Sequence, residues 1–392
     1  MLWWIALFNY ADRQAIFSVF PLLQSEFHLS PAALGLLGSS FAWVYGLCAP
    51  FAGNLMDRMR RKTAILGGLQ CWSVICMATA LSRSFGGLLF FRAAEGLGET
   101  FYFPGSVSLL SDYHGPETRS RALGLHQTSV YAGTIAGGFF AGLIGQRYGW
   151  RWSFVVFGAL GILLGLALNR FLREPPRETS NTKMPLRDFL REVWANPPML
   201  ALMGAFACAN FVALVLLSWM PSFVHEKFQL SLAMSGLTAT LFAQLASMLG
   251  APVGGWLADW LRTRSAGGRM WTQAAAVLCG APLVALCGWT QSVGWLMATL
   301  AAWGFCKGVY DANIFASAFD VIRPEARGTA AGFMNMVGWL GGGIAPLAVG
   351  LVAQRTSLSH AITLTAGVYV GAAGLLMMAA MLARPRDRLR VK

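Results

Sequence analysis

The sequence predicts an all-α membrane protein with twelve transmembrane helices in two pseudo-symmetric six-helix bundles. Three observations carry this. Hydrophobic residues make up 56% of the 392 residues and charged residues 12%, with a mean hydropathy of +0.54, about half the charge fraction of soluble domains. Uncharged runs of about 20 residues, the length that crosses ~30 Å of hydrocarbon, recur along the chain. Short motifs of the first half also return, in order, at a nearly constant offset in the second.

Taken in order, the uncharged runs 29–56, 63–82, 198–224, 229–258, 328–354 and 356–383 each read as one span. The run 270–306 is too long for one, and the polar Thr290-Gln291-Ser292-Val293-Gly294 divides it. Segments 2–23 and 85–110 span despite internal charges, and 122–146 and 152–169 complete the set. Only eight residues precede Asn9, short for a first span, so residues upstream of Met1 are expected. The apolar start runs into a polar motif with no small-residue cleavage site, unlike a secretory signal.

The repeat sets the domain organisation. Phe27-His28-Leu29-Ser30 returns as Phe228-Gln229-Leu230-Ser231, and Asn9 and Pro21 as Asn210 and Pro221. Pro116-Glu117-Thr118-Arg119-Ser120-Arg121 returns as Pro324-Glu325-Ala326-Arg327-Gly328-Thr329. This predicts bundles at 1–171 and 198–392, related by an axis along the membrane normal, and a cytoplasmic linker at 172–197. Within the linker, 186–194 reads as a short amphipathic surface helix.

The net charge of +13 is topological. Lys and Arg concentrate in the even loops, the linker and the C-terminal tail, leaving Arg83, Arg147, Arg151, Lys227 and Arg355 on the other side. The positive-inside rule places both termini in the cytoplasm and the chain in the cell inner (plasma) membrane, with no nucleic-acid partner. The seven cysteines fall inside spans without close pairing, which argues against a disulfide framework or a metal site. Five scattered His residues form no catalytic cluster, so an enzyme is not expected, nor is a cofactor. No long soluble tail suggests a receptor.

Gly53-Asn54-Leu55-Met56-Asp57-Arg58-Met59-Arg60-Arg61-Lys62 places a Gly, an acid and a basic cluster between two spans. It returns, weakened, as Gly255-Trp256-Leu257-Ala258-Asp259 with Arg262 and Arg264. The duplicated loop resembles the signature of the major facilitator superfamily, with Arg60 where a Gly is usual. The resemblance implies gating roles for Gly53, Asp57, Arg58, Arg61 and Asp259. Within the superfamily, Asn9-Tyr10-Ala11-Asp12-Arg13, Arg92 with Glu99, Phe103-Pro104 and Trp219-Met220-Pro221 resemble the anion:cation symporter branch. Spinster-type lysolipid transporters share the first two features.

Charges inside a bilayer cost at least ~2.5–3.5 kcal/mol each and so must face a cavity or a partner. Asp12, Arg13, Arg92, Glu95, Glu99, Lys307 and Asp311 lie at that depth. Arg92, Glu95 and Glu99 share one helix face, and Glu99 maps onto Lys307 at an offset of 208, which suggests an acid opposing a base across a central cavity. Asp12 and Glu99 are the expected proton carriers. Arg13, Arg92 and Lys307 are expected to meet an anionic group, with Tyr45, Tyr131, Tyr310, Asp311, Asn313, Gln127 and Asn335 supplying further contacts. Static pairs Arg13–Asp12 and Arg92–Glu95 would be the purely structural use of the same charges. The expectation is a monomeric secondary active transporter that moves a small anionic molecule, a sugar acid or related carboxylate, with H+ by alternating access. A spinster-like carrier of amphipathic lipid is the alternative.

Overall fold

The computed structural model describes residues 1–56, 59–114, 116–174 and 186–383. Among these, all regular structure is helical. In a bilayer only helices or closed barrels satisfy the backbone without water, so the apolar runs leave the chain this single solution. Among the described residues, eight helical stretches are long and apolar enough to cross a membrane by length and composition. Helices α1 (Leu2–Ser18) and α2 (Phe20–Phe27), α4 (Arg61–Thr79), α5 (Phe85–Glu99) and α6 (Tyr102–Tyr113), and α13 (Val293–Asp311) and α14 (Ile314–Val321) supply the other four.

The remaining helices are α3 (Pro31–Met56), α7 (Pro116–Tyr148), α8 (Trp150–Phe171), α9 (Leu186–Trp194), α10 (Pro197–Phe228), α11 (Leu232–Arg262), α12 (Gly268–Trp289), α15 (Arg327–Arg355), α16 (Leu358–Leu364) and α17 (Ala366–Leu382). The polar break at 290–292 separates α12 from α13, and α9 occupies the span expected of the linker helix. Where the sequence reads single spans at 2–23, 85–110 and 356–383, the helices are interrupted near Val19, Thr100–Phe101 and Thr365. These breaks carry no Gly or Pro signal at the interrupted residues themselves.

The duplicated Phe-X-Leu-Ser motif has a mechanical role. His28 and Gln229 take left-handed backbone angles (φ 51° and φ 55°), ending one helix. Ser30 and Ser231 then cap the next, accepting from the amides of Ala33 and Met234 at 3.2 Å each.

The described residues form two compact units. The first comprises Met1–Glu178, Val215–Gln244 and Gly343–Leu358, and the second Thr179–Leu214, Leu245–Gly342 and Ser359–Lys392. In the first, α1 packs on α7 with backbone nearly touching backbone: a Cβ on Gly133 or Gly137 would collide with the carbonyls of Leu7 or Ala11. In the second, α9 buries Phe189 and Val193 on its apolar edge, with the Phe189 ring 5.0 Å from Phe333. Glu192 on α9 accepts from the Arg323 guanidinium at 2.7 and 2.9 Å, fastening this helix to the chain before α15.

Candidate functional site

The polar centre of the first unit is assembled from α1, α3, α4 and α5. Helix α1 supplies Asn9, Tyr10, Asp12 and Arg13, and one face of α5 supplies Arg92, Glu95 and Glu99. All five charged side chains are buried, with Asp12 and Glu99 at 0% exposure. Arg13 Nε forms an ion pair with Glu99 Oε2. Arg92 Nη1 reaches Glu95 Oε2 at 2.6 Å, and its Nη2 donates to the Arg13 carbonyl at 3.0 Å.

Aromatic rings enclose the two guanidiniums. Arg13 lies 4.7 Å from the Tyr10 ring centroid, 4.6 Å from Tyr45 and 5.2 Å from Phe41, while Arg92 lies 4.4 Å from Phe41. Phe41 therefore adjoins both cations, and each gains quadrupole attraction that partly offsets lost hydration.

Asp12 is different. Among the described residues neither of its oxygens has a hydrogen-bond partner, and the buried amide of Asn9 is equally unpartnered. The Trp72 indole is close enough to interact with the carboxyl but closes no hydrogen bond. Arg13 does not pair with its neighbour Asp12, contrary to the simplest structural use of the motif. Consecutive helical side chains point about 100° apart, and Arg13 is turned toward α5 instead. The Arg92–Glu95 pair is present as anticipated.

Glu99 thus finds its partner on α1. Lys307, expected opposite Glu99, forms an ion pair with Asp311 one turn along α13 in the second unit, at 17% and 35% side-chain exposure. Tyr310 is buried, and its hydroxyl has no hydrogen-bond partner among the described residues. Asn313 is committed to backbone, donating to Gly254 O at 2.9 Å and Val309 O at 3.0 Å where α13 ends. Tyr45 and Tyr131 are buried, Asn335 is half-buried and Gln127 is exposed.

Of the gating residues, Asp57 and Arg58 lie outside the described residues, as does the side-chain environment of Gly53, whose backbone belongs to α3. Arg61 is buried at the start of α4, pairing with Asp112 on α6 and donating to Ser108 at 3.1 Å and Glu174 at 3.2 Å. Glu174 also accepts from the amides of Arg61 at 2.8 Å and Lys62 at 3.3 Å, so a carboxylate caps this helix N-terminus. Burial opposes ionisation of Glu174, but these hydrogen bonds outweigh it and hold its pKa below the ordinary glutamate value. In the second unit Arg269 reaches Asp259 at 2.6 Å and Asp320 at 3.0 Å, and Arg262 reaches Asp320 at 3.1 Å. Asp112, Glu174 and Asp320 were not singled out from sequence. The first and last have a signal there, since Arg61/Asp112 and Arg269/Asp320 share the offset of 208. Among the described residues no three His, Cys, Asp or Glu side chains converge as metal ligands would.

Comparison with known proteins follows the same lines. The family model of the Major Facilitator Superfamily matches residues 2–346 and 267–392. A hexuronate transporter of Bacillus subtilis is 25% identical over 380 residues, covering 92% of this chain and 89% of that protein. A D-galactonate transporter of Escherichia coli is 25% identical over 401 residues, covering 94% and 90%. A probable chloroplastic anion transporter of rice is 28% identical over 368 residues; the match covers 89% of this chain and 62% of that longer protein. In three dimensions the chain resembles a bacterial homolog of the human lysosomal transporter Spinster, solved inward-facing and unoccupied. The TM-score is 0.80 at 23% identity, over 99% of this chain and 95% of that one.

Proposed function

The chain belongs to the Major Facilitator Superfamily, and we propose that it is a symporter of a small organic anion, a sugar acid or related carboxylate, driven by protons through alternating access. One observation carries the reading: two guanidiniums and three carboxyls are buried together, and one carboxyl has no donor among the described residues. Both arginines stay charged at any physiological pH. With Glu95 and Glu99 ionised against them, the cluster is neutral only when Asp12 carries a proton. An ionised Asp12 without a partner would carry a burial penalty of several kcal/mol, which protonation removes.

The coupling follows from that neutrality. Glu99 holds Arg13 through a charge-assisted bond, so protonating Glu99 frees a guanidinium for a carboxylate substrate. A bound anion and a bound proton then enter and leave the cluster together, without net charge crossing the apolar core. Tyr10 and Tyr45, whose rings already flank Arg13, carry hydroxyls suited to a polyol. Lys307, Tyr131, Gln127 and Asn335 remain contacts assigned from sequence. Relatives named for hexuronate and D-galactonate transport support the substrate class. The same reading places bundles at 1–171 and 198–392 and both termini in the cytoplasm of a cell with the protein in its inner membrane.

The test is flux into liposomes loaded with a pH-sensitive dye, under a panel of sugar acids. Lumenal acidification by one compound, reduced at least ~100-fold by Glu99→Gln, is the expected result. No acidification with any carboxylate, together with translocation of a fluorescent lysolipid, would replace the reading by a spinster-like one.

A further inference from the structure

Helix α10 contains Pro221, which has no backbone N–H. The carbonyl four residues earlier, on Leu217, therefore loses its intrahelical donor. Within the first unit that carbonyl is met by Gln14 of α1, whose Nε2 donates to Leu217 O at 2.9 Å. Gln14 is 3% exposed and follows Asp12 and Arg13 directly in the chain. Successive positions turn about 100° on a helix, so one short stretch of α1 presents Arg13 to Glu99 and Gln14 to α10.

Two further bonds lie beside this one. Trp219 Nε1 donates to Pro346 O at 3.0 Å, and the Leu347 amide donates to Ser39 Oγ at 3.2 Å. The Phe20 ring meets Trp219 edge-on at 5.6 Å, and a Cβ on Gly35 would collide with the Pro346 carbonyl. These contacts knit α1, α2, α3, α10 and α15 into one seal within the first unit, and Gln14 is the only residue among those named that directly follows the charged Asp12 and Arg13.

We propose that Gln14 is a positioning residue that couples the charged cluster to this seal, by donating to the carbonyl that Pro221 leaves open. The proposal rests on the alternating-access reading. Helix α1 packs backbone to backbone against α7 at Gly133 and Gly137. When protonation or substrate parts Arg13 from Glu99, the movement of α1 withdraws the Gln14 amide from Leu217 and the seal loosens.

The experiment places a single cysteine at Ser222, 2% exposed on α10, with the seven native cysteines replaced by alanine. A membrane-impermeant maleimide is applied from the sealed side, without substrate or gradient, so failure of the symport reading is scored separately by carboxylate flux. Loss of one buried hydrogen bond is expected to raise the labelling rate about tenfold for Gln14→Leu. Pro221→Ala, which gives Leu217 O an intrahelical donor, raises it comparably. The double variant labels no faster than Pro221→Ala alone. If Pro221→Ala is not monodisperse, Gln14→Asn, one methylene too short to reach, takes its place and matches Gln14→Leu. The proposal falls if Gln14→Leu labels within twofold of the parent, if Pro221→Ala leaves the rate unchanged, if the single effects multiply in the double variant, or if Gln14→Asn behaves as the parent.

Discussion

The fourth and tenth crossings are one element written twice, 208 residues apart. Each is broken past its midpoint, after Glu99 and after Asp311, and each carries a buried tyrosine, Tyr102 and Tyr310, at the same offset. Toward the basic loops they remain alike: Asp112 holds Arg61 and Asp320 holds Arg269. In the hydrocarbon core they part. Arg92, Glu95 and Glu99 correspond to Leu300, Trp303 and Lys307. Where the first copy seals the Arg92–Glu95 pair at 2% side-chain exposure, the second packs an indole and leaves the Lys307–Asp311 pair partly open. A buried charge costs most when its partner is missing, so the fully buried arginines and glutamates of the first copy come with one another, while the pair of the second copy keeps some access to solvent. The latch tolerated duplication, whereas the charged core was confined to one bundle.

Writing the charge into the wrong copy breaks this contrast most severely. Trp303→Glu exchanges a buried indole for a carboxyl, with Lys307, the cation one turn along the same helix, already paired with Asp311, and should cost at least ~3 kcal/mol and most of the monodisperse yield in detergent. The latches differ by less. Arg61→Ala takes the guanidinium from Asp112 and leaves Glu174 only the two backbone amides, whereas Arg269→Ala leaves Asp320 paired with Arg262. Arg61→Ala is therefore expected to unfold about 1–2 kcal/mol more easily than Arg269→Ala, read by thermal melting of the two proteins side by side.

Acid should loosen the first latch. Because the folded pKa of Glu174 is depressed, its stabilisation is present above the ordinary glutamate range near ~4.3 and lost as pH falls through the lower, folded value. Glu174→Gln should remove that part of the acid dependence of melting, and an unchanged profile would mean the cap contributes nothing. Smallest of all, Tyr310→Phe removes a hydroxyl with no hydrogen-bond partner, so its melting temperature should match or exceed the parent's. A loss above ~1 kcal/mol would show a partner that the fold does not reveal.

Much was legible in the chain alone. Apolar run length dictates the crossings because hydrocarbon offers the backbone no other donor or acceptor, and the repeat of Phe-X-Leu-Ser marks the same left-handed stop and serine cap in both halves. Spacing on one helix also placed Arg92, Glu95 and Glu99 on a common face and paired the first two. Partners on different helices were beyond it. That Arg13 turns to Glu99 rather than Asp12, that Phe41 adjoins two guanidiniums, and that Glu174 caps α4 all depend on interhelical packing. That packing is set by glycine contacts between backbones and by side-chain direction, and periodicity encodes neither the distance nor the neighbour. Asp12 shows the limit most plainly. Sequence marks it as a charge in the membrane, and only the tertiary structure leaves it without a donor, because every nearby cation is already held by another carboxylate.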